Sequence, residues 1–349
     1  MPASSWALLL LVLIGVISCA VNFDSMQKPV RGLFKLKYFL FGVLGLAVLR
    51  YVFRRGVPRN VIRGLLHLFF ASIILSVAYG LTATFANFDL VTWQKGSFSR
   101  TGGLTPSMRF ACGLSMVLPV LLTLWLRRRE WGDWFDVRLL MLTLLMGLAG
   151  LLLTQTRGAL VGLICSLPLV LFFLRPKAGY LAAGGCCICI CLLTAGNLYT
   201  NHKGEHLGSM FRGLESLNSR LSQYKAALYG LQERPVLGFG MGGYAEQTPR
   251  IKRHHGLKEY GGDTAHSHNT FLEVGTNLGI LGMMVFLAWI FLWVREALRR
   301  KSVATICVPP FILAFVVVGQ FEYLLDANNA FLVFFFYALT SCEGRATEN

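Results

Sequence analysis

Charge is scarce in this chain. Only 14% of its 349 residues are Asp, Glu, Lys or Arg, against about a quarter in an average soluble domain. With 55% apolar residues and a mean hydropathy of +0.57, there is too little polar surface for a soluble enzyme. Acids are the scarcer sign, 17 against 33 bases. The nine cysteines have no zinc-site spacing and make no disulfide framework. Cys19, Cys112, Cys165, Cys307 and the cluster Cys186, Cys187, Cys189 and Cys191 lie in apolar runs, with Cys342 near the end, and read as small packing residues. No internal repeat is evident, which weakens a transporter built from repeated halves. The first run, Trp6–Ala20, lacks the basic n-region and cleavage site of a signal peptide and reads as a membrane span.

What is abundant is apolar sequence of membrane-crossing length. Runs at 4–23, 38–53, 64–84, 108–126, 139–155, 159–174, 180–196, 270–294, 303–324 and 330–342 predict an all-α integral membrane protein of about ten helices. Basic residues fall in alternate connections: Arg54, Arg55 and Arg59; Arg127 to Arg129 and Arg138; Arg175 and Lys177; Arg295, Arg299, Arg300 and Lys301. The positive-inside rule makes those connections, and both termini, cytoplasmic. The opposite face receives 24–37, 85–107, the turn around Arg157, the long segment 197–265 and the turn at Asp326–Asn329.

Segment 24–37 runs against that rule, with Lys28, Arg31, Lys35 and Lys37 against Asp24 alone. Either the first hairpin only dips into the membrane, or cations held there meet an anionic partner such as a lipid diphosphate. The long segment is the one connection large enough for structure of its own. Glu215–Glu233 reads as an amphipathic helix with Leu217, Leu221, Tyr224, Leu228 and Leu231 at helical spacing, ended by Pro235 and the glycines of 238–243.

Three outward sites carry ionisable groups at helix ends. Thr154-Gln155-Thr156-Arg157-Gly158-Ala159 joins two spans through a tight turn, where an Arg either snorkels to the interface or holds an anion. Arg220 and Tyr224 precede Pro235-Val236-Leu237-Gly238-Phe239-Gly240, which is not a Walker loop because no Gly-Lys-Ser/Thr follows. The glycines serve equally well as a helix cap. His266-Ser267-His268-Asn269 leads into a span with Gly275, Gly279 and Gly282. Two histidines without a carboxylate or Cys at ligand spacing argue against a metal; they read either as solvated or as a proton-handling pair near neutral pH. No D-x-D or similar acidic pair accompanies these sites, so a diphosphate leaving group would depend on arginine forks.

These motifs resemble the O-antigen ligase family and the wider superfamily with O-antigen polymerases and protein O-oligosaccharyltransferases. The shared pattern is a Thr/Ser-Arg-Gly/Ala turn, a large loop with an Arg, an aromatic and Pro-hydrophobic-Gly-x-Gly, then His-x-His-Asn. Here it reads Thr156-Arg157-Gly158-Ala159, Arg220 with Tyr224, Pro235 to Gly240, and His266 to Asn269. The ligase spacing of His, ten residues and Gly is met by His268 and Gly279. The resemblance covers about residues 100–290 and implies a GT-C-like helical glycosyltransferase of the bacterial inner membrane, acting at its periplasmic face. Residues 1–196 would form helices one to seven, 197–269 a large periplasmic loop, and 270–349 helices eight to ten with a short cytoplasmic tail. The family commonly has more spans than are counted here; if the first hairpin matches the family's second, segment 24–37 stays periplasmic.

The reaction so implied joins undecaprenyl-diphosphate-linked O-polysaccharide to a sugar hydroxyl of lipid A-core, by inverting transfer with neither metal nor cofactor. His268 would be the base, Arg157 and Arg220 would bind the donor diphosphate, and His266, Asn269 and Gly279 would support them. Arg31, Lys28, Lys35 and Arg100 are further phosphate-binding candidates. No nucleic acid is expected as a partner despite the net charge of +16, since the partners are lipid-linked glycans and membrane lipids. The alternatives are a polymerase or protein O-oligosaccharyltransferase of the same superfamily and, from another class, a lipid-linked sugar transporter.

Overall fold

A computed structural model describes residues 1–89, 94–95, 102–131, 134–173, 175–185, 213–259, 266–300 and 302–342. Apart from a two-residue antiparallel pair, β1 (Phe88–Asp89) with β2 (Gln94–Lys95), the regular elements among the described residues are helical. They are α1 (Ala3–Val21), α2 (Pro29–Lys35), α3 (Lys37–Arg54), α4 (Arg59–Ala86), α5 (Ser107–Leu126), α6 (Arg128–Trp131), α7 (Val137–Leu153), α8 (Arg157–Phe172), α9 (176–185), α10 (Gly213–Glu233), α11 (Gly243–His254), α12 (Thr270–Arg299), α13 (Val303–Val318) and α14 (Ala327–Cys342). Every apolar run named above overlaps a helix, the run at 303–324 only as far as Val318 and the run at 180–196 only as far as the described residues go. Among the described residues five helices are long and apolar enough to cross a membrane: α1, α2 continuing into α3, α4, α5 and α12. Four more, α7, α8, α13 and most of α14, are apolar but shorter. The chain is a multi-helix membrane protein.

Start signals are local. Pro58 and Pro106 precede α4 and α5, where the missing N–H costs nothing. Asp136 caps α7 through the backbone N–H groups of Arg138 and Leu139, and Asn269 caps α12 through those of Phe271 and Leu272.

The chain divides into two compact units. One comprises residues 52–205 and 301–318, with α5 packed against α7, α8 and α13 around Val77, Phe110, Leu114, Leu118, Leu151 and Leu163. There the Ser115 hydroxyl donates to the Ala159 carbonyl at 2.7 Å, tying α5 to the head of α8.

The other unit comprises residues 1–51, 206–300 and 319–349. Its spine is α12, lined by α1, α10 and α14. Trp289 and Trp293 stack on each other and meet Phe334 and Tyr337 of α14 in tilted and edge-on contacts, with Phe286 against Trp289, burying large aromatic area in the half of α12 away from its start.

The helix α12 is broken. Gly279 has φ 70° and ψ −175°, a conformation essentially restricted to glycine, and a Cβ there would overlap the Val236 carbonyl. The break frees backbone groups that would be costly if left unpaired in an apolar setting. The loop after α10 satisfies them. Phe239 N–H donates to Thr276 O at 2.9 Å, Gly240 N–H to Asn277 O at 3.0 Å, and Pro235 O accepts from Ile280 N–H at 2.7 Å. The Asn277 side-chain oxygen accepts from Gly242 N–H at 2.8 Å. From α1, Ser18 hydroxyl donates to Leu237 O, and Asn22 bridges Gly238 O and the Arg234 guanidinium. Gly238, at φ 64°, allows this approach, since a Cβ would strike the Thr276 carbonyl.

Candidate functional site

The head of α12 gathers a cluster of polar side chains in the second unit. The chain before it sets His268 at φ 49°, in the left-handed region. Ser267 N–H donates to the buried Glu273 carboxylate at 2.8 Å, and Glu273 also accepts from Asn277 at 3.1 Å. Thr270 N–H donates to Gly319 O at 2.7 Å and its hydroxyl to Glu322 O at 2.7 Å, fastening the connection between α13 and α14 beneath the histidines.

Through that connection Glu322 reaches both rings. Its carboxylate lies 3.1 Å from His268 Nδ1 and 3.3 Å from His266 Nε2, and the imidazole centroids are 4.5 Å apart. Burial alone would raise the Glu322 carboxyl, but the hydrogen bonds and charge of the two histidines outweigh it and hold the group at about 2. His266 is shifted the other way: burial opposes its charge, yet Glu322, Glu273 and Asp326 together raise its pKa.

The histidines, which have no carboxylate at ligand spacing along the chain, acquire one in the fold. Tertiary structure brings Glu322 from 54 residues beyond His268. The ligand atoms of His266, His268 and Glu322 lie within 4.8 Å of one another, so the same three residues could hold a divalent cation. A signal for Glu322 was present: a carboxylate inside an apolar run, assigned to a span at 303–324, is costly unless it is paired or functional.

Other predicted residues distribute as follows. Asn269 caps α12 and donates from its amide to Gln320 at 3.1 Å. On α10, Tyr224 hydroxyl donates to the Gln320 carbonyl, which sets the tyrosine against the site. Burial raises the Tyr224 pKa, and the charge of Arg220 works against that shift. Arg220 therefore stands close enough to act on this tyrosine. Gly279 sits at the helix break rather than among the histidines. Lys28 and Arg31 are exposed around α2, and Lys35 Nζ lies against Gly242 at the glycine loop. Arg157 opens α8 in the other unit, after Gln155 at φ 53° and buried Thr154 and Thr156. Arg100 lies outside the described residues.

Gln155, His268 and Asn87 are the non-glycine residues at positive φ among the described residues. Two of the three fall in motifs singled out from the sequence, as strained backbone at working sites tends to do.

Fold and site together define a polytopic helical membrane protein with a histidine–carboxylate cluster at the head of a broken helix. Residues 141–287 match the family model described as O-antigen ligase, and the resemblance drawn from the motifs is shown over that stretch. It runs from α7 past the break in α12 and includes Arg157, Arg220, His266, His268, Asn269 and Gly279. No curated protein matches the chain.

Proposed function

We propose that this protein is an O-antigen ligase, transferring undecaprenyl-diphosphate-linked O-polysaccharide to a sugar hydroxyl of lipid A-core. The observation that carries the reading is the buried Glu322 carboxylate shared by His266 and His268 beside Asn269 and Tyr224. With Nδ1–H donated to Glu322, the neutral His268 ring has its basic lone pair on Nε2. That atom takes the acceptor hydroxyl proton as the oxygen attacks the anomeric carbon of the first donor sugar. The bond from that carbon to the diphosphate oxygen breaks, the electron pair leaves with undecaprenyl diphosphate, and the configuration inverts. A base so placed is worth about 10²–10⁴-fold.

Arg220 and Arg157 stabilise the departing diphosphate through fixed guanidinium donors, with Arg31, Lys28, Lys35 and Arg100 as further phosphate contacts. Arg157→Lys keeps charge and loses the fork, so its activity falls; near-normal activity would remove bidentate binding there. The transfer uses no metal, and activity persists in excess chelator; loss on chelation with recovery on adding a divalent cation would reassign His266, His268 and Glu322 as ligands. Ten spans, the site facing the periplasm, and an inner-membrane location complete the reading. It places the site where both amphiphilic substrates can reach it with their tails in lipid.

The deciding experiment is a lipopolysaccharide gel with parallel analysis of undecaprenyl-linked glycans, in cells lacking the gene. Core without O-antigen, with long polymer accumulating on the lipid carrier, supports ligase. Core bearing a single repeat would make the protein a polymerase.

A further inference from the structure

An amphipathic helix normally hides its leucines, and α10 does not. It packs Ser222, Gln223, Ala226, Ala227 and Gly230 inward, with Tyr244, Ile251 and Phe239 against Gly230. Leu221 and Leu228 remain 49% exposed, on one stripe with Asn218, Lys225 and Gln232. Lys225 lies on the stripe itself, and Arg220 and Tyr224 lie on its side toward Gln320. Two exposed leucines two turns apart with a lysine between them suit a helix resting in a lipid interface, where the lysine stem lies along apolar surface and its charge reaches the headgroups.

The surface continues onto a spanning helix. In α12 most of the stretch from Thr270 to Gly279 is buried, whereas beyond the break Ile280, Leu281, Met284, Leu287 and Phe291 are exposed in the manner of lipid-facing residues. Val236, 58% exposed, stands at that junction, its carbonyl against Gly279 and its neighbour Pro235 bonded to Ile280 N–H. The register also has a direction. Tyr224 meets Asn269 at the head of α12, Leu231 packs on Gly275, and Val236 reaches Gly279. The α10 helix therefore runs parallel to the first half of α12, and its leucines approach the lipid-facing band in chain order.

We infer that the exposed face of α10 is seated in the bilayer interface, entering from Leu221 and deepening through Leu228 to Val236. The occupant is the surface of the membrane that α12 spans, and the inference does not depend on which reaction the protein catalyses. About 10 Å of helix separates Leu221 from Leu228, enough to resolve depth.

The test uses the full chain in lipid nanodiscs with a genetically encoded environment-sensitive fluorophore at 221, 228 or 236, and at exposed His254 as the aqueous control, leaving the native cysteines in place. Brominated lipid should quench 236 most, then 228, then 221, each several-fold more than 254, with iodide giving the reverse order. Iodide quenching at 221 and 228 equal to that at 254 overturns the proposal, because the face is then in water. Protection of both from iodide and lipid also overturns it, because protein, a second copy or a bound prenyl tail then covers the face. Should the probe at 236 disturb the loop, the contrast among 221, 228 and 254 decides the same question from half-exposed positions.

Discussion

Two neighbouring stretches, at the head of α12 and at its break, use the same motif for opposite ends. At residues 266–273 the backbone is strained so that side chains converge: His266 and His268 on Glu322, with Asn269 capping the helix. At residues 276–280 the exchange is mainly of backbone N–H and C=O groups between the broken helix and the glycine loop, with the Asn277 side-chain oxygen adding a bond from Gly242 N–H. The His-to-Gly spacing thus joins a chemical residue to an architectural one. The lesson is that one motif can combine side chains gathered into a polar cluster with groups that hold the helix open, and substitution separates them.

The largest effect is expected at the architectural end. Gly279→Ala forces a side chain into a glycine-only conformation and against the Val236 carbonyl, so it should cost about 3 kcal/mol or more. Protein recovery from detergent and the unfolding midpoint should both collapse, with activity lost as a consequence. Normal recovery would show that the loop can withdraw and that the break is not fixed.

At the chemical end the outcome inverts. His268→Asn keeps a residue type that tolerates the left-handed conformation and removes the imidazole proposed as base. Transfer should fall about 10²–10⁴-fold with the unfolding midpoint within about 1 kcal/mol of the parent. If the midpoint falls as far as in Gly279→Ala, the two stretches are one structural unit and the comparison fails.

The two ends also differ in how far they could be read from sequence. Hydropathy located the spanning helices because lipid imposes one pattern on all of them. Histidine spacing marked His266 and His268. Glu322 was legible only as a misplaced carboxylate, because its partners lie more than fifty residues away and the turn that delivers it depends on Thr270 and Gly319. Glycines 238 and 279 were visible as letters, but their function as two halves of one backbone exchange needs the fold. The leucine stripe of α10 was visible too, yet periodicity could not tell that Ala226 and Ala227 face inward while Leu221 and Leu228 stay exposed. Helix α11 escaped because its run from Gly243 to His254 is polar and contains Pro249.

A pH series isolates Glu322. Its carboxyl is lowered from 4.5 to about 2, so the stability it contributes is present above 4.5 and drains away as pH falls toward 2. His266 is raised above 6.5, so its share is full below 6.5 and is lost as pH rises through the shifted value. The unfolding midpoint should therefore have a plateau between those limits that Glu322→Gln lowers and flattens. In the same variant kcat should drop less than in His268→Asn, since the base remains but its ring is no longer held. An unchanged pH profile would mean that the carboxylate does not couple to the histidines.

The smallest effect tests how the break is shared with α1. Ser18→Ala removes a hydroxyl that donates to Leu237 O and, at 3.1 Å, to Asn277 O. Asn277 O keeps its bond from Gly240 N–H, and Asn22 still holds Gly238 O, so one buried carbonyl alone loses its donor. That is worth about 1 kcal/mol, a shift of about one to two degrees in the midpoint, with transfer unchanged. A loss approaching that of Gly279→Ala would mean that α1, more than the glycine loop, keeps α12 open, and the architectural end of the motif would extend to residues the family spacing does not include.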